Sequence, residues 1–395
     1  MNESLLVLNC GSSSIKFALF DRRSPPLARA PAWSGKVDGI GQSHPTLEVT
    51  GGVAAAMSLN PASPYHDALA LIEARAQAAL GGRRLAAVAH RVVHGGSKYF
   101  EPVIVDSTVL ADLRSYIPLA PLHQPFALDA IESMLQAPGA SVQVACFDTA
   151  FHQTIPKVEQ MLPLPQDGAA KGMRRYGFHG LSYEFMSVAL SERYGPPARG
   201  RLIAAHLGSG ASLCAMRDLR SAATTMGFSA LDGLMMGTRC GAVDPGALLY
   251  LLEEKHLSVS ELTDLLYHRS GLLGVSGVSS DPRVLLEHET EERVRDALAL
   301  YVRRIVREIG SLIAVLGGLE MLVFTAGIGE HNPTIRARVC EQLEFLKIQL
   351  DPRQNAQNAT LISAAESKVR VCVEPTNEEW IAARAADELL RRTGR

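Results

Sequence analysis

One strand–loop–strand unit occurs twice in this chain, 197 residues apart, and no other feature limits the fold so strongly. The first copy runs through Leu5, Leu6, Val7, Leu8 and Asn9, turns at Cys10, Gly11, Ser12, Ser13 and Ser14, and returns from Ile15 to Asp21. The second runs from Leu202 to His206, turns through Leu207, Gly208, Ser209 and Gly210, and returns from Ala211 to Asp218. Laid together without a gap, Asn9 falls on His206, Gly11 on Gly208, Ser12 on Ser209 and Asp21 on Asp218. Short apolar runs bounded by small residues predict buried strands joined as a hairpin. Repetition half a chain apart predicts duplication. The length of 395 residues agrees, because single cores stop growing near about 250–300 residues.

A second pair extends the pattern less tightly. The run from Val142 to Phe147 ends at Asp148 and Thr149, and the run from Met321 to Thr325 ends at Ala326, Gly327, Ile328, Gly329 and Glu330. Each follows a stretch of helical periodicity. Helices are expected over 64–80, 124–136, 182–193 and 291–316. In the last, Val294, Leu298, Tyr301, Ile305, Ile309, Leu312 and Leu316 recur on one helical face. A further helix is expected over 377–392, with Asn377 as N-cap and Glu378 and Glu379 in its first turn. Strands alternating with helices in both halves predict an α/β architecture. The domains are expected at 1–149 plus 381–395, the terminal helix returning to the first domain, and at 150–380.

Composition closes off several classes. Lys+Arg of 39 against Asp+Glu of 41 gives a net charge of −2, no general basis for nucleic acid or an anionic membrane as partner. The six cysteines are scattered, without a Cys-x-x-Cys pair, so a zinc ribbon or redox dithiol is not expected. Three of them sit in apolar strand-like runs, where a buried free thiol behaves as a small hydrophobe. Leu5 to Leu8 is too short for a signal-peptide core, and no run approaches the ~20 apolar residues that span a bilayer. A cytoplasmic protein is the expectation.

Glycine turns after buried strands free backbone N–H groups that form anion nests. Gly208 to Gly210 and Gly327 to Gly329 are two such turns, and Gly11 to Ser14 adds hydroxyls with Lys16 close by. No Gly-Lys-Ser/Thr occurs, and Gly327 and Gly329 lack the third glycine of a dinucleotide fingerprint. Nucleotide phosphates held without a Walker fold are therefore expected. Arg91 lies in the apolar run from Ala89 to Val93, where a guanidinium suits a carboxylate or phosphate, or a structural ion pair. Val92 and Val93 oppose a helix, which argues against His90 and His94 as a zinc pair. Arg239 sits in a glycine-rich loop closed by Asp244, Pro245 and Gly246, and Arg174 to Gly180 forms a cationic, aromatic loop ending near His179.

Together these segments resemble the acetate kinase family, within the sugar kinase, Hsp70 and actin superfamily. The matching stretches are 9–16, 90–96, 147–152, 175–180, 206–212, 236–239 with 244–246, 324–330 and 376–379, in the family's order over nearly the whole chain. The resemblance implies duplicated ribonuclease H-like domains with an interdomain active-site cleft. It implies reversible, magnesium-dependent phosphoryl transfer from ATP to acetate, giving acetyl phosphate and ADP by direct in-line attack of the carboxylate. Manganese is an alternative metal. It assigns Arg91 and Arg239 to the carboxylate and the transferring phosphoryl group, and places Asp148 and His179 at the reaction centre. Asn9 and Glu378 would hold the metal, largely through water. Lys16, Ser12, His123, His206, Leu207, Gly208, Ser209 and Gly210 would face the nucleotide and its phosphates. So would Asp281, Pro282, Arg283, Gly327, Ile328, Gly329, Glu330 and His331. Val93, Leu122 and Phe178 would form the pocket for the acetate methyl. A homodimer is implied by the family alone.

Three positions depart from the family pattern. Ser209 and His331 stand where asparagine is common, and Ala230 replaces a frequent proline expected to line the acyl pocket. One methylene in such a pocket discriminates by about 1–3 kcal/mol, so propionate is a rival acceptor. A nucleotide-driven switch related to Hsp70 is a second rival. It would use the phosphate loops but not the two arginines or the apolar pocket.

Overall fold

The computed structural model describes residues 3–22, 25–136 and 141–395, and the chain divides into two compact units. The first takes in Met1–Ala150 and Asn377–Arg395, the second Phe151–Thr376. In the first, eight strands form one sheet: β1 (Glu3–Cys10), β2 (Ser14–Arg22), β3 (Trp33–Asp38), β4 (Thr46–Val49), β5 (Ala55–Ala56), β6 (Arg84–Val92), β7 (Val103–Ile104) and β8 (Val142–Phe147). Their spatial order is β5-β4-β3-β2-β1-β6-β8-β7. The strands from β1 to β5 form an antiparallel meander, whereas β1, β6 and β8 run parallel, which brings their C-terminal ends together. Helix Pro64–Leu80 lays Leu69 and Ile72 onto Leu6, Leu8 and Phe17. Pro64 starts this helix and Gly81, left-handed at φ 56°, ends it. Helix Glu378–Arg392 packs on β1 and β6, its first turn capped by the Asn377 side chain accepting from Trp380 N–H.

The second unit carries β9 (Arg201–Leu207), β10 (Ala211–Arg217), β11 (Arg220–Thr224), β12 (Met321–Thr325) and β13 (Arg370–Val373), ordered β11-β10-β9-β12-β13. Here too a meander of three antiparallel strands is followed by parallel neighbours. Helix Glu292–Leu316 packs on β10 and buries the seven residues of the expected stripe. Each large aliphatic side chain so buried contributes about 1.5–3 kcal/mol.

The two sheets share one plan, β3-β2-β1-β6-β8 matching β11-β10-β9-β12-β13. This corrects two expectations. Met321–Thr325 corresponds to β6, and Val142–Phe147 corresponds to β13, not to Met321–Thr325. A strand's place in a sheet is set by its hydrogen-bonded neighbours, which similarity of two apolar runs does not report. The ungapped shift also fails at the turn. Asn9 pairs with Lys16 in the first hairpin, whereas its counterpart His206 pairs with Ser212, so the second turn is one residue shorter. Because one residue of slip moves every side chain to the other face, the counterpart of Lys16 is Ser212 and not Leu213.

Candidate active site

In the first unit, the C-terminal ends of three adjacent parallel strands supply the polar cluster. Ligands of open α/β sheets bind at such strand ends. Asn9 lies near the end of β1, Arg91 near the end of β6, and Asp148 directly follows β8. Arg91 donates from Nε to Asp148 Oδ1 at 2.9 Å and from Nη2 to Oδ2 at 2.5 Å, a two-pronged pair, and from Nη1 to Asn9 Oδ1 at 3.0 Å. Glu378 stands 3.7 Å from Arg91 Nε. Asp148 is buried, and its own N–H donates to the Val92 carbonyl at 3.1 Å, which ties β8 to β6 at this point. Burial works against the Arg91 charge, but Asp148 and Glu378 outweigh it and raise the pKa above that of an ordinary arginine. Burial raises the pKa of the neighbouring Glu379, and the charge of Glu378 adds to the shift. Lys16, opposite Asn9, lines a cavity of about 380 Å³ together with Lys36, Glu48, Asn377 and Glu379. Ser12 occupies the turn between β1 and β2. His123 precedes helix Gln124–Gln136, with its N–H on the Ala120 carbonyl. Val93 is buried just past β6, and Leu122 is half-buried.

His90 and His94 each meet a different partner. His90 Nε2 meets Gln143 Oε1 at 2.7 Å, and burial pushes its pKa down to about 4. His94 Nδ1 accepts from Gly96 N–H at 2.8 Å. Among the described residues no three His, Cys, Asp or Glu side chains cluster as a metal cage. Asn9 and Glu378, both at Arg91, are nevertheless hard oxygen donors of the kind magnesium takes. An ion with so few protein ligands would keep most of its water and lean on substrate phosphates.

In the second unit, the site is built around Gly210. A Cβ there would lie 2.9 Å from Arg239 Nη2 and 3.2 Å from His179 Nε2, so only glycine lets both nitrogens approach the turn after β9. Arg239 is oriented by its own loop, donating from Nη1 to the Ala230 carbonyl at 2.7 Å. A Cβ on Gly237 would lie 3.1 Å from the Ser280 carbonyl oxygen and 3.8 Å from that of Ser209, so the arginine loop and the Gly208–Gly210 turn lie together. His179 has left-handed backbone, φ 57° and ψ 28°, immediately before helix Gly180–Tyr194. A non-glycine residue there costs about 1–3 kcal/mol and signals a constrained site. Its ring stacks on His206 with centroids 4.1 Å apart, and its Nδ1 meets Ser212 Oγ at 2.8 Å. His206 Nδ1 in turn meets Ser182 Oγ at 2.9 Å. The buried Phe178 precedes His179.

The remaining predicted residues fall nearby or apart. Asp281 caps the short helix that begins with Pro282, and its carboxylate pairs with Arg283, whose hydrogen bond lowers the Asp281 pKa. Gly327, Ile328 and Gly329, expected as an open loop, instead form a short helix with Ala326, Glu330 and His331. Long-range contacts hold that turn in place. Fully buried Arg336 donates from Nη1 to the carbonyls of Gly329 and Glu330, and its two other nitrogens bind Asn355. Burial lowers the Arg336 pKa to about 10. The Glu330 carboxylate accepts from Thr376 N–H at 3.1 Å.

Sequence reasoning missed Arg336, Ser212, Tyr183 and His152. His152 Nε2 donates to the Phe178 carbonyl at 2.9 Å and its Nδ1 accepts from Ser221 Oγ at 2.8 Å, so it braces the loop that carries His179. Burial holds this imidazole neutral, with a pKa of about 4. The adjoining Gly177 (φ 75°) has room for no side chain, since a Cβ would lie 2.5 Å from the His152 ring. Arg336 carried one legible signal, a lone arginine among Ile335, Val339 and Cys340 on a buried helical face.

The model of the acetokinase family matches residues 4–384. An acetate kinase of Rhodopseudomonas palustris (strain TIE-1) is 49% identical over 390 residues, covering 97% of this chain and 98% of that one. One of Methylocella silvestris is 45% identical over 400 residues, covering 99% and 98%. Among solved structures, a propionate kinase from Francisella tularensis subsp. tularensis SCHU S4 superposes with a TM-score of 0.88 at 32% identity, covering 98% of this chain and 99% of that one. Porphyromonas gingivalis acetate kinase gives 0.84 at 36%, covering 98% and 100%.

Proposed function

Because the chain belongs to the acetokinase family, we propose that it transfers the γ-phosphoryl group of ATP to acetate, reversibly, giving acetyl phosphate and ADP. The observation that carries this assignment is the Arg91 fork. A guanidinium held by Asp148 from one side and by Asn9 from another is pre-aimed for a small carboxylate or a phosphoryl oxygen. Acetate is ionised at neutral pH, so its oxygen needs no base. It attacks phosphorus in line, the bond to the bridging oxygen breaks, and the electron pair leaves on ADP. Such transfer depends on positioning and on neutralising spread negative charge. Arg91, Arg239 and the His179 N–H supply donors for it, each worth about 2–4 kcal/mol in the transition state. Asp148 orients Arg91 and moves no proton. Asn9 and Glu378 would hold magnesium through its water, and the bound ion would neutralise phosphate charge. By the family resemblance, Val93, Leu122, Phe178 and Ala230 would line the space for the methyl group.

The test is formation of acetyl hydroxamate from ATP and acetate in the presence of hydroxylamine. ATP hydrolysis without hydroxamate would reject the assignment. Propionate is the less favoured acceptor, because relatives at 45–49% identity are named acetate kinases while the propionate kinase is 32% identical. Comparing kcat/KM for acetate, propionate and butyrate decides the preference. The domains are proposed at 1–149 plus 381–395 and at 150–380, and the protein is proposed to work in the cytoplasm. No helix of the described residues is long and apolar enough to cross a membrane. The protein is also proposed to be a homodimer. Support comes from helix Pro245–Glu253, an apolar helix with no buried residue that presents exposed Leu249 and Tyr250, a face that a second copy would cover. Sedimentation of the wild type against Leu249→Asp tests this, and an unchanged monomeric mass would reject it.

A further inference from the structure

We propose that Ser212 and Tyr183 form a hydroxyl relay that fixes the tautomer of His179 and so presents its Nε2–H as the donor at the reaction centre. They are positioning residues, and the inference rests on the placement of His179 in the proposed reaction. Ser212 stands on β10 and Tyr183 on helix Gly180–Tyr194, and both are fully buried. Ser212 Oγ lies 2.6 Å from Tyr183 Oη and 2.8 Å from His179 Nδ1. A serine hydroxyl has one proton and donates to one partner only. Ser212 Oγ could also accept from both neighbours, but its own proton would then be buried without an acceptor among the described residues, which leaves two arrangements. In one, Tyr183 donates to Ser212 and Ser212 donates to Nδ1, leaving the imidazole proton on Nε2. In the other the sequence runs backwards, and Nε2 carries a lone pair.

Chemistry chooses between them. A phenol, with its ordinary pKa near about 10, is a far better donor than an aliphatic hydroxyl. Tyr183 therefore donates and Ser212 passes its own proton on. Nε2 and the Arg239 guanidinium both border the space that a Cβ on Gly210 would fill, where anionic phosphoryl oxygens would be received. A lone pair there would repel those oxygens, while an N–H attracts them.

The surrounding architecture keeps the ring from turning. Ser212 is the cross-strand partner of His206, while Ser182 and His179 lie three residues apart at the start of one helix. The bonds cross, His179 to Ser212 and His206 to Ser182, with the two rings stacked between them. Each ring is thus held by a hydroxyl from the opposite element. In the first unit, the position equivalent to Ser212 is Lys16 opposite Asn9, so the duplication retained a polar side chain at this point and changed its chemistry.

The test combines kinetics with nitrogen spectroscopy of the full chain. In ¹⁵N-histidine-labelled protein, with His179→Gln identifying the signals, His179 is expected to carry its proton on Nε2. A proton on Nδ1 instead would overturn the relay. Ser212→Ala is expected to lower kcat about tenfold and leave both KM values within about twofold, because an aim is lost and not a binding contact. Ser212→Thr, which keeps the hydroxyl, is expected to stay within about threefold of wild-type kcat. Tyr183→Phe is expected to lower kcat about threefold, and Ser212→Ala/Tyr183→Phe no further than Ser212→Ala alone, since the two act through one chain. Full kcat in Ser212→Ala, or losses that multiply in the double variant, would also overturn it. Should His179→Gln itself keep wild-type kcat, the placement of His179 at the reaction centre fails, whereas the tautomer measurement still judges the relay.

Discussion

Asp148→Asn separates an aiming role from a proton-transfer role more cleanly than any other single change. The wild-type carboxylate receives two Arg91 N–H groups, at 2.9 and 2.5 Å, while buried beneath the strand ends. Asparagine keeps one acceptor and turns an NH₂ donor toward the guanidinium, so one charge-assisted bond worth about 1.5–3 kcal/mol is lost and a donor faces a donor. Breaking a buried pair outright costs about 3–5 kcal/mol. Here Asn9 still accepts from Arg91 and Glu378 remains 3.7 Å away, so a loss near the lower end, about 3 kcal/mol, is expected in urea unfolding. The guanidinium then swings toward Glu378, and a displacement of ~1 Å at a reacting group costs about 100-fold in turnover. Initial rates of hydroxamate formation measure this, with acetate and ATP each varied. The pH–rate profile between 6 and 8 is expected to keep its shape, because acetate is already ionised and Asp148 abstracts nothing. Either of two results refutes the reasoning: kcat within about threefold of wild type in a folded variant, or selective loss of a basic limb from the profile.

Arg91→Ala and Arg239→Ala are each expected to lower kcat by at least about tenfold with circular dichroism unchanged, since each removes a donor from the spread charge of the transition state. Gly210→Ala places a methyl group 2.9 Å from Arg239 Nη2 and 3.2 Å from His179 Nε2, so kcat in the hydroxamate assay is expected to fall about tenfold while the thermal midpoint moves little. Buried His90 and His152 titrate near pH 4 in the fold, against 6.5 when exposed. Their contribution is complete above about pH 6.5 and is lost as pH falls toward 4, because the unfolded chain takes up the protons first. By pH 5 each removes about 2 kcal/mol, to be read from urea midpoints at pH 7 and pH 5, with His152→Gln reducing the slope.

Much of this was decided by the sequence alone. The apolar runs before Asn9, Asp148, His206 and Ala326 placed those residues at strand ends, because buried strands and small-residue turns follow from side-chain pattern over a few residues. Helix Glu292–Leu316 was equally legible, since a 3.6-residue stripe needs no partner to be recognised. The arginines and His179 stood out as charged or polar groups in apolar or glycine-rich company. Tertiary structure decided what local pattern does not contain. It set the strand order that makes Met321–Thr325 the counterpart of β6, and the one-residue difference between the hairpin turns that makes Ser212 the counterpart of Lys16. Both depend on hydrogen bonds between segments far apart in the chain. It also decided which polar groups are buried together. Arg336 beneath the Gly329 carbonyl, His152 beneath Phe178 and Tyr183 behind Ser212 are ordinary residues in the sequence. They acquire their roles only when packing removes water and leaves protein groups as their partners, for a buried polar group must find its hydrogen bond inside the protein.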